Sequence, residues 1–368
     1  MRDLRARLDA LAARDQRREL RSTHGVDLTS NDYLGLSTHP RIRDALIDAL
    51  TRGAPHGGTG SRLLSGQHAA WSDLEARFAA WQGADAALYF ATGFGANTGL
   101  IASLAQPDDV IVSDALNHAS LIDGARLSRA ERVIVPHGDV HAVDAALTAR
   151  PGRNAWVVIE SLHSMEGDEP ALLPYVEVCE RHGARLIVDD AHATGLDGPQ
   201  GQGLVVRDGL RERVFASVHT CGKALGQSGA FVVGSQDLID WLVNAARPFI
   251  FSTAPAPFLA AGLHAAIDVV SSDPELRARP RALADRLRNG LRGRVDTGRS
   301  TGPIVPLIVG TNAAALALQS KLATRGWDAR AIRPPTVAEG ASRVRVVMRA
   351  PLTEAQVDSL VGDVCAAI

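Results

Sequence analysis

The sequence predicts an α/β protein with a mainly parallel sheet, followed by a smaller α+β domain, and three observations carry that prediction. Seven short apolar runs rich in β-branched and aromatic residues recur between residues 87 and 234. Helix-length amphipathic stretches separate most of them, long enough to serve as crossovers between parallel strands. After Pro248 this rhythm gives way to long helical segments and a few further strands. Runs that are apolar without alternation are what a sheet covered on both faces requires.

Residues 1–36 read as an N-terminal arm. Leu4, Leu8, Leu11 and Leu20 stand among many Arg and Asp residues, an approximate helical stripe suited to lying on the body or on a partner subunit. Residues 37–245 read as the large domain, with strands at ALYFA (87–91), DVIVSD (109–114), RVIVP (132–136), NAWVVIES (154–161), RLIVDD (185–190), VFASV (214–218) and GAFVVG (229–234). Residues 246–368 read as the C-terminal small domain. It opens with helical stretches at about 254–270 and 274–293, then PIVPLIV (303–309), NAAALALQSKLATRG (312–326), RVRVVM (343–348) and a last helix from Thr353 to Ala367. In RVRVVM, Arg343 and Arg345 are two apart on a strand, so both point to one face and make it cationic, ready to meet a carboxylate.

Composition excludes several classes of function. A chain of 368 residues exceeds the roughly 250–300 at which single cores stop growing, so two domains are expected. Hydrophobic residues at 46% and charged residues at 22% are ordinary for a folded protein. Lys+Arg at 39 against Asp+Glu at 41, with no block of like charges, gives no grip on a phosphate backbone, so no nucleic-acid partner is expected. The cysteines (Cys179, Cys221, Cys365) are odd in number and far apart, which fits neither a disulfide framework nor a zinc pattern; a cytoplasmic protein without a metal is expected. The charged N-terminus and the lack of any stretch of about 18 apolar residues predict neither export nor a membrane span.

Four motifs carry chemistry. TGFGANTGL (92–100) follows a strand and opens a helix, so backbone N–H groups there could cradle a phosphate. A dinucleotide fingerprint needs Gly-x-Gly-x-x-Gly, and here Thr98 stands where the third glycine belongs; an ordinary tight turn is the other reading. In RLIVDDAHATG (185–195), Asp189 ends an apolar strand with His192 three residues on, at the edge where open α/β sheets bind ligands. The alternative there is a helix-capping Asp beside a solvent-facing His. Lys223 lies among Cys221, Gly222, Ala224, Leu225 and Gly226 with no acidic neighbour, a setting in which an amine gives up its proton and can form a Schiff base, or simply a loop lysine in water. His118 in NHAS also falls at a carboxyl strand end. A phosphate cup, a ring-stacking imidazole, an anion for a pyridinium and an amine for an aldehyde are together the parts of a pyridoxal 5'-phosphate site.

These segments resemble the α-oxoamine synthases, pyridoxal-phosphate enzymes of fold type I that condense an amino acid with an acyl-CoA and release carbon dioxide. The resemblance runs through SNDYLGLSTHP (30–40), GTGSRLLSG (58–66), TGFGAN (92–97), NHASLIDGARLS (117–128), ESLHSMEGD (160–168), VDDAHATG (188–195), GKALGQSGAFV (222–232), RPFIFST (247–253) and IRPPTV (332–337). It implies a fold type I transferase with a seven-stranded sheet, and Lys223 as the Schiff-base lysine. It further implies Asp189 as partner of the pyridine nitrogen, His192 as donor to the phenolic oxygen and His118 as the stacked ring. Gly93 and Phe94 would supply backbone contacts, and Ser164 and Thr220 polar contacts, to the cofactor. For substrate, it implies Arg345 on the amino-acid carboxylate, Thr336 as a further contact, and Arg18 as an N-terminal arginine, with Arg17 and Arg21 close enough to take that place. IRPPTV followed by SRVRV points within the family to the member that joins L-alanine to a pimeloyl thioester, whether CoA or carrier protein, in biotin biosynthesis. Members using glycine with acetyl or succinyl thioesters are the alternative. A homodimer with interface active sites is implied as well. The chain departs from the family's usual residues at Leu162, His163, Cys221 and Ala338, all beside matched positions.

Overall fold

The computed structural model describes residues 3–368; Met1 and Arg2 of the arm lie outside the described residues. In chain order the strands are β1 (Val26–Asp27), β2 (Ala86–Phe90), β3 (Val110–Asp114), β4 (Glu131–Val135), β5 (Ala155–Glu160), β6 (Arg185–Asp189), β7 (Ala216–Thr220), β8 (Ala230–Gly234), β9 (Ile304–Gly310), β10 (Trp327–Asp328), β11 (Arg330–Ile332) and β12 (Ser342–Val347). Two compact units emerge, a larger one of Leu34–His163 with Pro170–Arg277, and a smaller one of residues up to Tyr33 with Ser164–Glu169 and Ala278–Ile368.

The larger unit is built on a seven-stranded sheet in the order β2-β8-β7-β6-β5-β3-β4. Strands β4, β3, β5, β6 and β7 are parallel, and β8 runs antiparallel to both β7 and β2. Successive side chains leave opposite faces, and both sets are apolar. Ile111, Trp156, Val158 and Ile187 enter one core with Leu100 and Leu121, whereas Val110, Val112, Val157, Ile159 and Val188 enter the other with Leu172 and Val176. That two-sided burial is why the expected strands form where their β-branched runs stand. The predicted glycine-rich loop is already helix: Gly93–Leu104 starts at Gly93, with Thr92 accepting the Gly95 N–H as N-cap.

The smaller unit holds a three-stranded antiparallel sheet, β11-β12-β9, and a parallel ladder of β1 with β10. Val305, Leu307, Val344 and Val346 pack there with Leu283, Leu287, Leu360 and Val364. Its last helix, Glu354–Ala367, is opened by a capping box between Thr353 and Gln356.

The units differ from the divisions at 36/37 and 245/246 read from sequence. Helix Leu259–Ser272 stays with the larger unit because its apolar face, including Leu263, Ala266, Ile267 and Val270, packs on helices Pro40–Thr51 and Ala69–Gln82. Residues 164–169 join the smaller unit because buried arginines of β12 bond their backbone, as described below. The arm's helix is only Leu4–Ala12, and Leu4, Leu8 and Leu20 remain exposed on this chain. Nine residues without a packed face gain too little to extend further. Among the described residues no helix is long and apolar enough to cross a membrane.

Candidate active site

In the larger unit the carboxyl ends of β3, β6 and β7 and the start of helix Gly93–Leu104 carry the expected cofactor residues except Ser164, which belongs to the smaller unit. Asp189, last in β6, alternates with Val188 and so faces the same side as Ile187, toward the core that includes helix residues Ala96 and Leu100. One turn along that helix from Gly93, Asn97 Nδ2 donates to Asp189 Oδ2 at 2.7 Å, and the Ala191 N–H donates to Oδ1 at 3.0 Å. The carboxyl is buried, and both of its oxygens are anchored. The next residue has a different task. Asp190 accepts from Ser161 Oγ at 2.5 Å and from the Leu204 N–H at 3.2 Å, pinning the loop after β6, and its complete burial pushes its carboxyl up to about 7 against those bonds.

Asn97 also donates to Ser120 Oγ at 2.9 Å, and that oxygen lies 2.7 Å from His118 Nδ1. With its own acceptor role filled by Asn97, the Ser120 hydroxyl is set to donate onward, so Nδ1 accepts and the ring proton is assigned to Nε2. Burial of the packed side of His118 lowers its pKa, Asp189 pulling it up and Lys223 pushing it down. The imidazole is therefore neutral near pH 7, with an open face. Lys223 is half-buried, and its Nζ donates to Thr220 Oγ1 at 3.2 Å. A Cβ on Gly93 would come within 2.5 Å of Thr220 Cγ2, so only glycine leaves this space at the helix start. The first-turn N–H groups of Gly93 and Phe94 lie where a helix has no acceptors of its own, the favoured place for an anion. His192 is buried in the turn after Asp190, and Phe94 is half exposed.

The donor set fits pyridoxal phosphate: an amine for the aldehyde, an anchored carboxyl for the ring nitrogen, an imidazole with an open face, and a helix start kept clear by glycine. Asn97 and Ser120 are the members that sequence reasoning did not single out. Both lie inside quoted motifs, and Asn97 is four residues after Gly93, hence on the same helix face.

In the smaller unit, strand parity places Arg343 and Arg345 together on one face of β12, opposite to Val344 and Val346. Both are buried, and both are tied to residues 164–166. Arg345 Nε donates to the Ser164 carbonyl at 2.7 Å and Nη2 to Asn31 Oδ1 at 3.0 Å. Arg343 Nη1 donates to Glu166 Oε1 at 2.9 Å and to the Met165 carbonyl at 3.1 Å. Burial raises the pKa of Tyr33 well above the usual phenol value, although Arg345 pulls it down, so the hydroxyl stays protonated beside that guanidinium. The expected substrate residues of the arm and the proline segment also meet, since Arg18 Nη2 donates to Thr336 Oγ1 at 2.9 Å. They line a cleft of about 490 Å³ with Arg17, Arg21, Arg330 and Arg333. Arg333 loses some basicity there through burial and the charges of Arg18 and Arg21. Such a cluster suits an anion.

Comparison with known proteins gives this geometry a context. Residues 23–364 match the family model described as aminotransferase class I and II. The chain is 46% identical over 345 residues to an 8-amino-7-oxononanoate synthase of Anaeromyxobacter dehalogenans, covering 93% of this chain and 86% of that one. It is 46% identical over 340 residues to the protein of that name from Marinobacter nauticus, covering 91% and 85%. Among solved structures, a serine palmitoyltransferase variant from S. paucimobilis with a bound PLP–myriocin aldimine superposes with a TM-score of 0.92 at 29% identity, covering 100% of this chain and 98% of that one.

Proposed function

Because the chain belongs to the aminotransferase class I and II family, we propose from that premise that it condenses L-alanine with a pimeloyl thioester, releasing carbon dioxide and the thiol and forming 8-amino-7-oxononanoate for biotin biosynthesis. The observation that carries the reading is the Asn97 hub, which ties the Asp189 carboxyl to the His118 ring through Ser120. The names of the relatives give the product, and the family resemblance implies the substrates.

Lys223, Asp189, His118, His192, Thr220, Ser164 and the Gly93–Phe94 backbone would hold pyridoxal phosphate, which when bound would supply an electron sink at the amino acid's α-carbon. The Lys223 amine, its Nζ positioned by Thr220, would anchor the cofactor's aldehyde and would move the proton at the amino acid's α-carbon. Asp189, anchored by Asn97 and Ala191, presents a fixed negative partner for a ring-nitrogen proton. His118, a neutral imidazole with its donor proton on Nε2, would stack on the cofactor ring and could polarise a forming ketone. Arg345, held in place by Ser164 and Asn31, offers its positive charge to the alanine carboxylate, and the Arg18–Thr336 cleft takes an anionic part of the acyl donor. The working unit is a cytoplasmic homodimer. The exposed Leu64 and Phe251 side chains and the exposed leucine stripe of the arm suit a subunit contact, and three free cysteines suit a reducing compartment.

The test is spectroscopic. The purified protein carries a visible chromophore that borohydride fixes, and peptide mapping finds the label on Lys223. Label on another lysine, or a colourless protein that pyridoxal phosphate does not restore, overturns the reading. Sedimentation reads the dimer, and a monomer at assay concentration contradicts that part.

A further inference from the structure

Three side chains converge at the carboxyl ends of β3, β4 and β5 that the proposed reaction does not use. Asp114 ends β3, His137 lies just beyond β4, and His163 lies just beyond β5. Because β3 pairs in parallel with both β4 and β5, these three ends stand side by side although their residues are far apart in the chain. That separation hides them from any reading of metal-ligand spacing, and no metal is expected from the sequence. His137 Nδ1 lies 3.0 and 3.1 Å from the two oxygens of Asp114. The His137 and His163 rings are 4.2 Å apart at their centroids and inclined by 74°. One ligating atom from each of the three residues falls within 4.8 Å of the others.

We propose that Asp114, His137 and His163 bind a single divalent d-block cation of the Zn²⁺ class. Two imidazoles and one carboxylate are the donor set such ions take, and three protein ligands leave a fourth position for water. Bonds of about 2.0–2.1 Å in tetrahedral array put ligand atoms roughly 3.3–3.4 Å apart, so the widest pair closes by less than about 1.5 Å. The carboxylate is already oriented by an outer layer of donors. Leu116 N–H donates to Oδ1 at 2.8 Å and Gly138 N–H to Oδ2 at 2.9 Å. Side-chain exposure is 2% for Asp114, 0% for His163 and 13% for His137, which gives a dry site with one wet approach along His137. Glu160, with Oε1 3.9 Å from His163 Nδ1, adds a second buried carboxyl beside the set. The competing arrangement is a plain Asp114–His137 hydrogen bond with His163 packed against it.

Cobalt distinguishes the two. Untagged holoenzyme is dialysed against a chelator and titrated with Co²⁺, and ligand-field absorption is read alongside metal analysis. The expected result is one equivalent bound, displaced by Zn²⁺. His163→Leu and His137→Gln each should weaken binding by more than the roughly 10–100-fold typical of changes in the outer layer. Far-UV circular dichroism and retained cofactor absorption identify a folded variant, and two variants at positions of different burial keep the test open if one misfolds. Absence of Co²⁺ uptake by the wild type, or unchanged affinity in a folded variant, overturns the proposal. Neither outcome bears on the reading of Lys223.

Discussion

The two units place their functional groups in opposite ways. In the larger one, the residues proposed for chemistry sit at the ends of strands and at a helix start: Asp189, Thr220, His118 and Gly93 all stand where an apolar element stops. In the smaller one, Arg343 and Arg345 stand within the central strand β12, buried, with carbonyl, carboxylate and amide partners. The difference teaches that a strand end can carry a reactive group without disturbing the sheet, whereas a charge inside a strand must be satisfied by its own unit. Substitutions in the first region should cost chemistry, and substitutions in the second should also cost stability or specificity.

The largest expected effect breaks the first region. Lys223→Ala abolishes thiol release while leaving the unfolding midpoint in urea nearly unchanged; normal turnover would remove the assigned role. Arg345→Lys keeps the charge and loses the planar fork that serves Ser164 and Asn31. A charge-assisted bond contributes about 1.5–3 kcal/mol, so kcat/KM for the amino acid falls tenfold or more, with cofactor absorption intact. Asn97→Ala deprives Asp189 and Ser120 of their shared donor, a loss of about 1–3 kcal/mol. Its signature is a shifted pH titration of the cofactor's absorption together with a lower kcat, which a merely structural role would not produce.

Two smaller effects test the second region. Asp27 is half-buried, which raises its pKa, but bonds from Thr29 and Ser30 and the nearby Arg349 outweigh this and hold the carboxyl below its usual value of 3.8. The unfolded chain then binds the proton first as pH falls. The stabilisation is present above pH 3.8 and is lost as pH drops through the folded pKa. Asp27→Asn is therefore less stable than wild type at pH 7, with the gap closing in acid, as urea unfolding at several pH values would read. Thr353→Ala removes the capping box of the last helix and should cost about 1 kcal/mol, measured the same way.

Much of this was legible in the sequence, for identifiable reasons. Most of the seven strands announced themselves because both faces are buried and their runs are apolar, whereas the edge strand β4, largely exposed, was marked by its β-branched residues alone. The shared face of Arg343 and Arg345 followed from strand period alone, and Asp189 and His118 from their places at strand ends. Partners that depend on tertiary approach were not legible. Asn97 reaches Asp189 across 92 positions, and Arg345 reaches Asn31 across 314. The same limit hid the convergence of Asp114, His137 and His163. The arm's leucine stripe predicted a longer helix than Leu4–Ala12, because periodicity marks an apolar face without saying what it packs on.

The central claim is the reaction, and thiol release by the pyridoxal-phosphate-loaded protein tests it most directly. L-alanine, glycine and L-serine are each offered with pimeloyl and acetyl thioesters. The account predicts release with alanine and the pimeloyl thioester far above every other pair; release led by glycine with acetyl, or by serine, would contradict it.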